Sequence, residues 1–412
     1  MTSSRLTLPP LIRVAHIITR LILGGAQENT LLTCRGLLET GRYDVTLLTG
    51  PAIGPEGELL DLARQWQIPV VLVPEMRREI HPLRDWKTLR RLRKWLAAHP
   101  QDIVHTHSSK AGILGRYAAK KAGVPVIVHT IHGLPFHPYQ SERKNRLFIE
   151  LERRAAEWSD AVVCVADAMA QQAEAAGVAA AGKFRTIYSG MALEPFLRND
   201  YDTAALKEKL GLHPSEPVAG QIARLAPLKG YEFFIQAIQE ILLHVPNAKF
   251  LFVGDGPAAG KIRELVRRAG VQNRVVFTGL VAASRIPAYI SLMDVVVHAS
   301  LREGLPRVIP QAQLMAKPVV AYAIDGAPEA LEDGVSGYLV PAESVHDLAR
   351  RVVELFKAPA RAREMGSRGR ERCIERFGAD LMVEKIDQLY QELIRAREEE
   401  SQGEVHDGPP EM

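Results

Sequence analysis

Three ionisable side chains stand just past apolar runs in the second half of the chain. Arg224 and Lys229 lie five residues apart in Ala-Arg224-Leu-Ala-Pro-Leu-Lys229-Gly230, which follows the run 218–223. Glu303 follows Val-Val-Val-His-Ala-Ser and sits in Leu-Arg-Glu303-Gly304-Leu305-Pro306-Arg307, ahead of a helical pattern. Two fixed cations at this spacing suit a diphosphate. An ionised glutamate accepts charge-assisted hydrogen bonds from two vicinal hydroxyls. The backbone N–H groups of Gly304, Leu305, Pro306's neighbours and Arg307, at a helix start, favour an anion or a hydroxyl-rich group.

The first half offers weaker signals. Gly24-Gly25-Ala-Gln-Glu follows the first apolar run and opens a helical pattern, either as a phosphate-approach loop or as a plain strand-to-helix turn. His132, in Thr-Ile-His132-Gly-Leu-Pro, falls at the carboxyl edge of a strand, where open α/β sheets bind ligands. A structural histidine bonded to a nearby carbonyl fits the same residues. His105 and His107 share one face of a strand, ahead of Lys110. No third ligand lies at a usual spacing, so no metal site is expected there. Gly254-Asp-Gly256-Pro-Ala-Ala-Gly260 has one residue too many for a dinucleotide fingerprint, and 275–279 supplies no acid for a ribose.

These residues need a scaffold that puts strand ends together. Short β-branched runs alternate with helical periodicity throughout, which predicts parallel sheets with crossover helices. Strands are expected at 14–19, 45–50, 70–74, 103–108, 126–129, 161–165 and 186–188, then at 218–223, 250–254, 275–278, 295–298, 319–323 and 338–340. A chain of 412 residues with 47% hydrophobic and 24% charged residues suits two soluble domains. They are expected at 1–195 and 196–379, with a helix at 380–397 returning to the first and a disordered acidic tail at 398–412.

A net charge of +4 is too mild to imply nucleic-acid binding. Cys34, Cys164 and Cys373 have no paired spacing and read as reduced thiols. No run reaches the roughly 18 apolar residues of a membrane span, and the start lacks a signal-peptide core, so a cytoplasmic location is expected. The segment 77–95 carries eight Lys and Arg residues with Leu83, Trp86, Leu89, Leu92 and Leu96 at helical spacing. That pattern fits a core-facing stripe with a solvated basic face, and equally a surface drawn to anionic lipid.

The segments around Arg224, Lys229 and Glu303 resemble those of the retaining glycosyltransferases of family 4, including bacterial exopolysaccharide and capsule enzymes. The resemblance covers nearly the whole chain. It implies the GT-B fold: two facing Rossmann-like, doubly wound α/β domains with an interdomain cleft. It implies transfer from a nucleotide-diphosphate sugar to a saccharide or polyprenyl-linked acceptor, without cofactor or metal, at the inner face of the membrane. Arg224, Lys229, Glu303 and His132 take the catalytic roles. Gly24, Gly25, Gly254, Gly256, Gly279, Leu280, Gly304, Leu305, Pro306 and Arg307 line the donor site, and His107 and Lys110 the acceptor side. Relatives carry a second glutamate where this chain has Gln311, whose amide accepts from a ribose hydroxyl without charge. A nucleotide-sugar epimerase, a sugar phosphorylase and a non-catalytic nucleotide-sugar-binding subunit are the rival readings.

Overall fold

Strands built from consecutive Val, Ile and Leu are apolar on both faces and persist only where helices cover both sides of the sheet. The computed structural model describes residues 10–53, 57–198 and 200–406. It divides into one unit of Met1–Cys164, Ala170–Ile187 and Ala379–Met412, and another of Val165–Met169 and Tyr188–Gly378.

In the first unit the strands are β1 (Ile12–Arg20), β2 (Tyr43–Gly50), β3 (Val70–Leu72), β4 (Ile103–His107), β5 (Val126–Ile131), β6 (Ala161–Cys164) and β7 (Phe184–Thr186). They form one parallel sheet in the order β3-β2-β1-β4-β5-β6-β7. The second unit contains β8 (Val218–Ile222), β9 (Lys249–Val253), β10 (Val275–Phe277), β11 (Val295–His298), β12 (Val319–Tyr322) and β13 (Gly337–Val340). These too are all parallel, in the order β10-β9-β8-β11-β12-β13. Every strand expected from the sequence is present, its ends moved by two residues at most.

Both sheets are doubly wound. The order reverses between β1 and β4 in one and between β8 and β11 in the other. Connections on either side of such a reversal leave on opposite faces, which opens a crevice at the carboxyl ends of the two strands.

Alternation along β1 sorts the first unit's core into two layers. Val14 and Ile18 pack with Leu31, Leu37, Met382, Ile386 and Tyr390. Ala15 and Ile17 pack on the other face with Leu92, Leu96, Ala111 and Ala118. The helix Ala379–His406 is therefore core to the first unit, and its Asp387 takes hydrogen bonds from Tyr43 and Arg42. The second unit closes around Phe234, Phe250, Phe252, Val297 and Tyr322.

Three expectations change. The chain passes into the second unit at Ile187/Tyr188 rather than at 195/196, and Met191 N already donates to Phe377 O at 2.9 Å. The last helix runs on to His406, so 398–406 is not a disordered tail. Residues 398–402 are Glu, Ser and Gln with no Gly or Pro, and Arg397 pairs with Glu400 at 2.7 Å, which favours continuation. The remainder of that tail, 407–412, lies outside the described residues. In the helix Pro82–Ala98, Thr88, Leu92 and Leu96 are buried, but Leu83 is 70% exposed and Trp86 56%. The apolar stripe thus reaches the core only in the helix's second half.

Close packing of the last helix depends on Gly36, where an added Cβ would stand 2.4 Å from Val383 Cγ2. Gly36→Val is expected to destabilise the protein by about 1–3 kcal/mol through overpacking. Urea unfolding is the measurement, and the double variant with Val383→Ala should recover part of the loss.

Candidate functional site

The segment after β8 is tied down from three sides. Gln221, fully buried on β8, donates Nε2–H to Lys229 O at 2.7 Å. Tyr231 Oη donates to Ala223 O at 2.9 Å, and Leu225 N to Asp255 O at 3.0 Å. Gly230 has φ 67°, and a Cβ there would lie 1.7 Å from Ala299 O, so only glycine fits between this turn and the end of β11. Arg224 and Lys229 are displayed by this braced segment at the carboxyl end of β8, with Arg224 exposed.

Glu303 enters from the neighbouring strand end. Its Oε1 lies 2.6 Å from Lys229 Nζ and 3.5 Å from His298 Nε2. Its backbone N donates to Asp325 Oδ2 at 2.7 Å, and Gly326 N donates to Gly304 O at 3.1 Å. Those two bonds anchor the Glu303 loop to the loop after β12. Burial drives the His298 imidazole down to about 4, so it is neutral at pH 7. Burial pushes the Glu303 carboxyl up, yet the Lys229 ammonium, His298 and the Ser300 hydroxyl together hold the group below its ordinary value. Leu305 and Pro306 are buried beneath this loop, and Arg307 precedes the short helix Val308–Leu314 that carries Gln311.

The glycines expected at the donor site adjoin Arg224. A Cβ on Gly256 would stand 2.4 Å from Leu225 O and 3.0 Å from Arg224 Cγ. Gly254 N donates to Gly279 O at 3.1 Å, so the Gly279 carbonyl is already engaged, while Leu280 is 54% exposed. Arg224, Lys229, Glu303, Gly254, Gly256 and Gly279 thus come from the ends of β8, β9, β10 and β11. The arrangement brings two cations, one carboxylate and a glycine-lined turn together at the carboxyl edge of the second sheet.

In the first unit, Gly24 and Gly25 begin the helix Gly25–Glu39 immediately past β1. His132, just beyond β5 and half-buried, has Nε2 3.1 Å from His107 Nδ1. His107 is only 1% exposed, and its Nε2 lies 2.9 Å from His16 Nδ1. It therefore cannot line an acceptor surface as expected. Lys110 is also committed elsewhere: its Nζ lies 2.7 Å from Asp85 Oδ1 and donates to Glu79 O. This internal pairing occupies the ammonium that the resemblance places on the acceptor side.

Pairing of β1 with β4 brings His16 opposite His105, so His16, His105 and His107 have ring nitrogens within 4.8 Å of one another. Spacing along the chain offers no third imidazole near His105 and His107; a sheet neighbour some ninety residues away supplies it. Sequence reading also missed Gln221, His298 and Asp325. A histidine closing an all-Val strand directly before the Glu303 loop was the one available signal for His298. Gln221 and Asp325 act through tertiary bonds that local pattern does not encode.

A model described as glycosyl transferases group 1 matches residues 216–358, and one described as a glycosyl transferase 4-like domain matches 24–190. The chain is 29% identical over 387 residues to the UDP-Gal:alpha-D-GlcNAc-diphosphoundecaprenol alpha-1,3-galactosyltransferase of Escherichia coli, covering 93% of this chain and 97% of that protein. It is 28% identical over 320 residues to the alpha-D-kanosaminyltransferase of Streptomyces kanamyceticus, covering 74% and 80%. Among solved structures, Anabaena HepE in complex with UDP-glucose superposes with a TM-score of 0.79 at 23% identity, covering 92% of this chain and all of that one.

The Lys229–Glu303 pair has a pH signature. Because the Glu303 carboxyl is depressed in the fold, its contribution to stability is present above the ordinary value of 4.5 and is lost as pH falls through the lower folded value. Glu303→Gln should flatten that limb of a plot of melting temperature against pH while leaving the neutral-pH fold intact. An unfolded variant at neutral pH would assign Glu303 a structural role instead.

Proposed function

Because the chain belongs to family 4 of the glycosyltransferases, of GT-B fold, we propose that it transfers a hexose from a uridine diphosphate sugar, with retention at the anomeric carbon, to a saccharide carried on a polyprenyl diphosphate. The observation that carries this reading is the Lys229–Glu303 pair at 2.6 Å beside Arg224, at the point where the second sheet reverses its order. The Escherichia coli relative is named for a UDP-galactose donor and a diphosphoundecaprenol acceptor, and that name supports the same pairing here. The product would serve assembly of a cell-surface polysaccharide.

Arg224 and Lys229 neutralise charge that builds on the departing diphosphate, stabilisation aimed at the transition state rather than at the bound sugar. Glu303 accepts from adjacent sugar hydroxyls and fixes the anomeric carbon for attack. The bond from C1 to the phosphate oxygen breaks as the acceptor oxygen bonds to C1 on the same face. The acceptor proton passes to the phosphate oxygen that leaves, so neither a protein nucleophile nor a metal is required. His132 meets the donor sugar, Gln311 accepts from a ribose hydroxyl through its carbonyl oxygen, and the base is met by backbone groups at Leu280. The amides of Gly304, Leu305 and Arg307, with Gly24 and Gly25, serve the sugar and the diphosphate.

Arg224→Ala and Lys229→Ala should each lower kcat/KM by about 100-fold or more while leaving the melting temperature near that of the unaltered protein. The assay follows sugar transfer from UDP-glucose and UDP-galactose to a polyprenyl-diphosphate saccharide. Near-normal transfer by both variants contradicts the diphosphate role. Epimer or free sugar released from donor alone would favour the epimerase or phosphorylase reading, and nucleotide binding without turnover the non-catalytic one.

A peripheral membrane seat at the inner face fits a lipid-linked acceptor. Ile80, Leu83 and Trp86 are 74%, 70% and 56% exposed around the start of the helix Pro82–Ala98. Beside them a groove of about 470 Å³ is lined by Trp86, Arg90, Arg93, Lys94 and Lys121. Among the described residues, no helix is long and apolar enough to cross a membrane. Replacing Arg90, Arg93 and Lys94 by Gln should weaken partition onto phosphatidylglycerol vesicles by about 3 kcal/mol, at roughly 1 kcal/mol per cation. Co-sedimentation checks this; equal binding to neutral vesicles contradicts it.

A further inference from the structure

Two buried polar side chains next to Glu303 have unused hydrogen-bonding atoms. Val295, Val297 and Ala299 turn into the core of the second unit, so His298 and Ser300, which alternate with them, turn to the opposite side. Both are almost wholly buried. Among the described residues neither ring nitrogen of His298 has a hydrogen-bond partner, nor has Ser300 Oγ, although buried polar groups ordinarily find one. His298 Nε2 stops 3.5 Å from Glu303 Oε1, longer than an ordinary N–H···O bond.

The same carboxylate oxygen is already held by Lys229 Nζ at 2.6 Å. In the proposed reaction that ammonium goes to the diphosphate, which leaves Glu303 withdrawn from water without its cation. A carboxylate so placed takes up a proton, and a protonated carboxyl no longer accepts from two sugar hydroxyls. The other charged groups nearby do not replace the ammonium. Asp325 is itself an anion, accepting from the Glu303 backbone, and Arg302 feels Asp325 more strongly than Glu303. Arg224 serves the diphosphate on the same reading. Burial keeps the His298 ring neutral, so it can donate from one nitrogen without cancelling the charge that the sugar hydroxyls must meet.

We propose that His298 is a positioning residue for the transfer: when a bound diphosphate draws Lys229 away, the Glu303 carboxylate closes on His298 Nε2–H and the Ser300 hydroxyl and stays aimed at the sugar. This deepens, and rests on, the reading of Arg224 and Lys229 as the diphosphate's partners. Shortening the 3.5 Å gap to an ordinary hydrogen bond takes about half an ångström. It also accounts for a histidine at the end of a strand that is otherwise valine, since valine would continue the strand but could not donate.

NMR of full-length protein carrying 15N-histidine and 13C-carboxyl glutamate reads both groups, with His298→Leu and Glu303→Gln assigning the signals. Saturation with uridine diphosphate or inorganic pyrophosphate should move the His298 Nε2–H proton of the unaltered protein downfield. Lys229→Met should show the same displacement with no ligand, because there the ammonium is gone. With ligand bound, the Glu303 carboxyl of His298→Leu should titrate about one pH unit or more higher than that of the unaltered protein, a hydrogen bond to its charged form having been lost. His298→Gln, which keeps a donor, should restore most of the difference. In His298→Leu the acid limb of kcat should move to higher pH, and kcat should fall by about 10-fold or more at constant donor KM. A His298 proton that stays put both in the liganded protein and in Lys229→Met overturns the proposal, even if His298→Leu fails to fold. So does a folded His298→Leu whose Glu303 titrates as in the unaltered protein, whatever its kcat. Movement in Lys229→Met without movement on adding either ligand upholds the His298–Glu303 contact and counts against the diphosphate reading instead.

Discussion

The chemistry proposed for the second unit depends on one ion pair: the Lys229 ammonium against the Glu303 carboxylate, 2.6 Å apart across adjacent strand ends. Both groups are largely withdrawn from water, where an unpaired charge is costly and a paired one is held in place. Each loop that carries a partner is fixed independently. Buried Gln221 holds the Lys229 backbone, and Asp325 holds that of Glu303. The pair is thus set by two preformed loops rather than forming them. With Arg224 alongside, two cations and one anion leave a net positive charge, which suits a diphosphate with a hydroxyl-bearing group attached.

Both units gather ionisable side chains at the same topological position. A strand order that reverses beside β8 and β11 gathers Arg224, Lys229 and Glu303, and the reversal beside β1 and β4 gathers the Gly24 turn and the cluster of His16, His105 and His107. The contents differ because the two crevices are filled differently. In the second unit, charged groups sit at the strand ends with some access to water. In the first, His16, His105 and His107 lie within the strands themselves, under the last helix, where burial keeps them neutral.

Sequence pattern carried the strands well, since β-branched runs bounded by Gly, Pro and Asp leave few alternatives, and with them the position of Lys229 and Glu303 at the ends of neighbouring strands. It failed where the answer is a contact between distant segments. His16 reaches His105 only through the β1–β4 pairing. Lys110 meets Asp85, its partner, only because the fold brings together two helices 25 residues apart in sequence. Helical period found the Leu83-to-Leu96 stripe but not where that helix leaves the sheet, so it could not show that Leu83 and Trp86 stand outside the core. Composition marked 398–406 as a tail, although Glu-rich residues extend a helix that is already anchored.

Calorimetric titration of uridine diphosphate into the unaltered protein and into Glu303→Gln tests whether the ion pair stands in the diphosphate site. If the carboxylate competes with the diphosphate for the Lys229 ammonium, neutralising it must release that charge, and Glu303→Gln should bind the nucleotide more tightly than the unaltered protein. Equal or weaker binding by Glu303→Gln, with the fold intact, would contradict the claim that the ion pair stands in the diphosphate site.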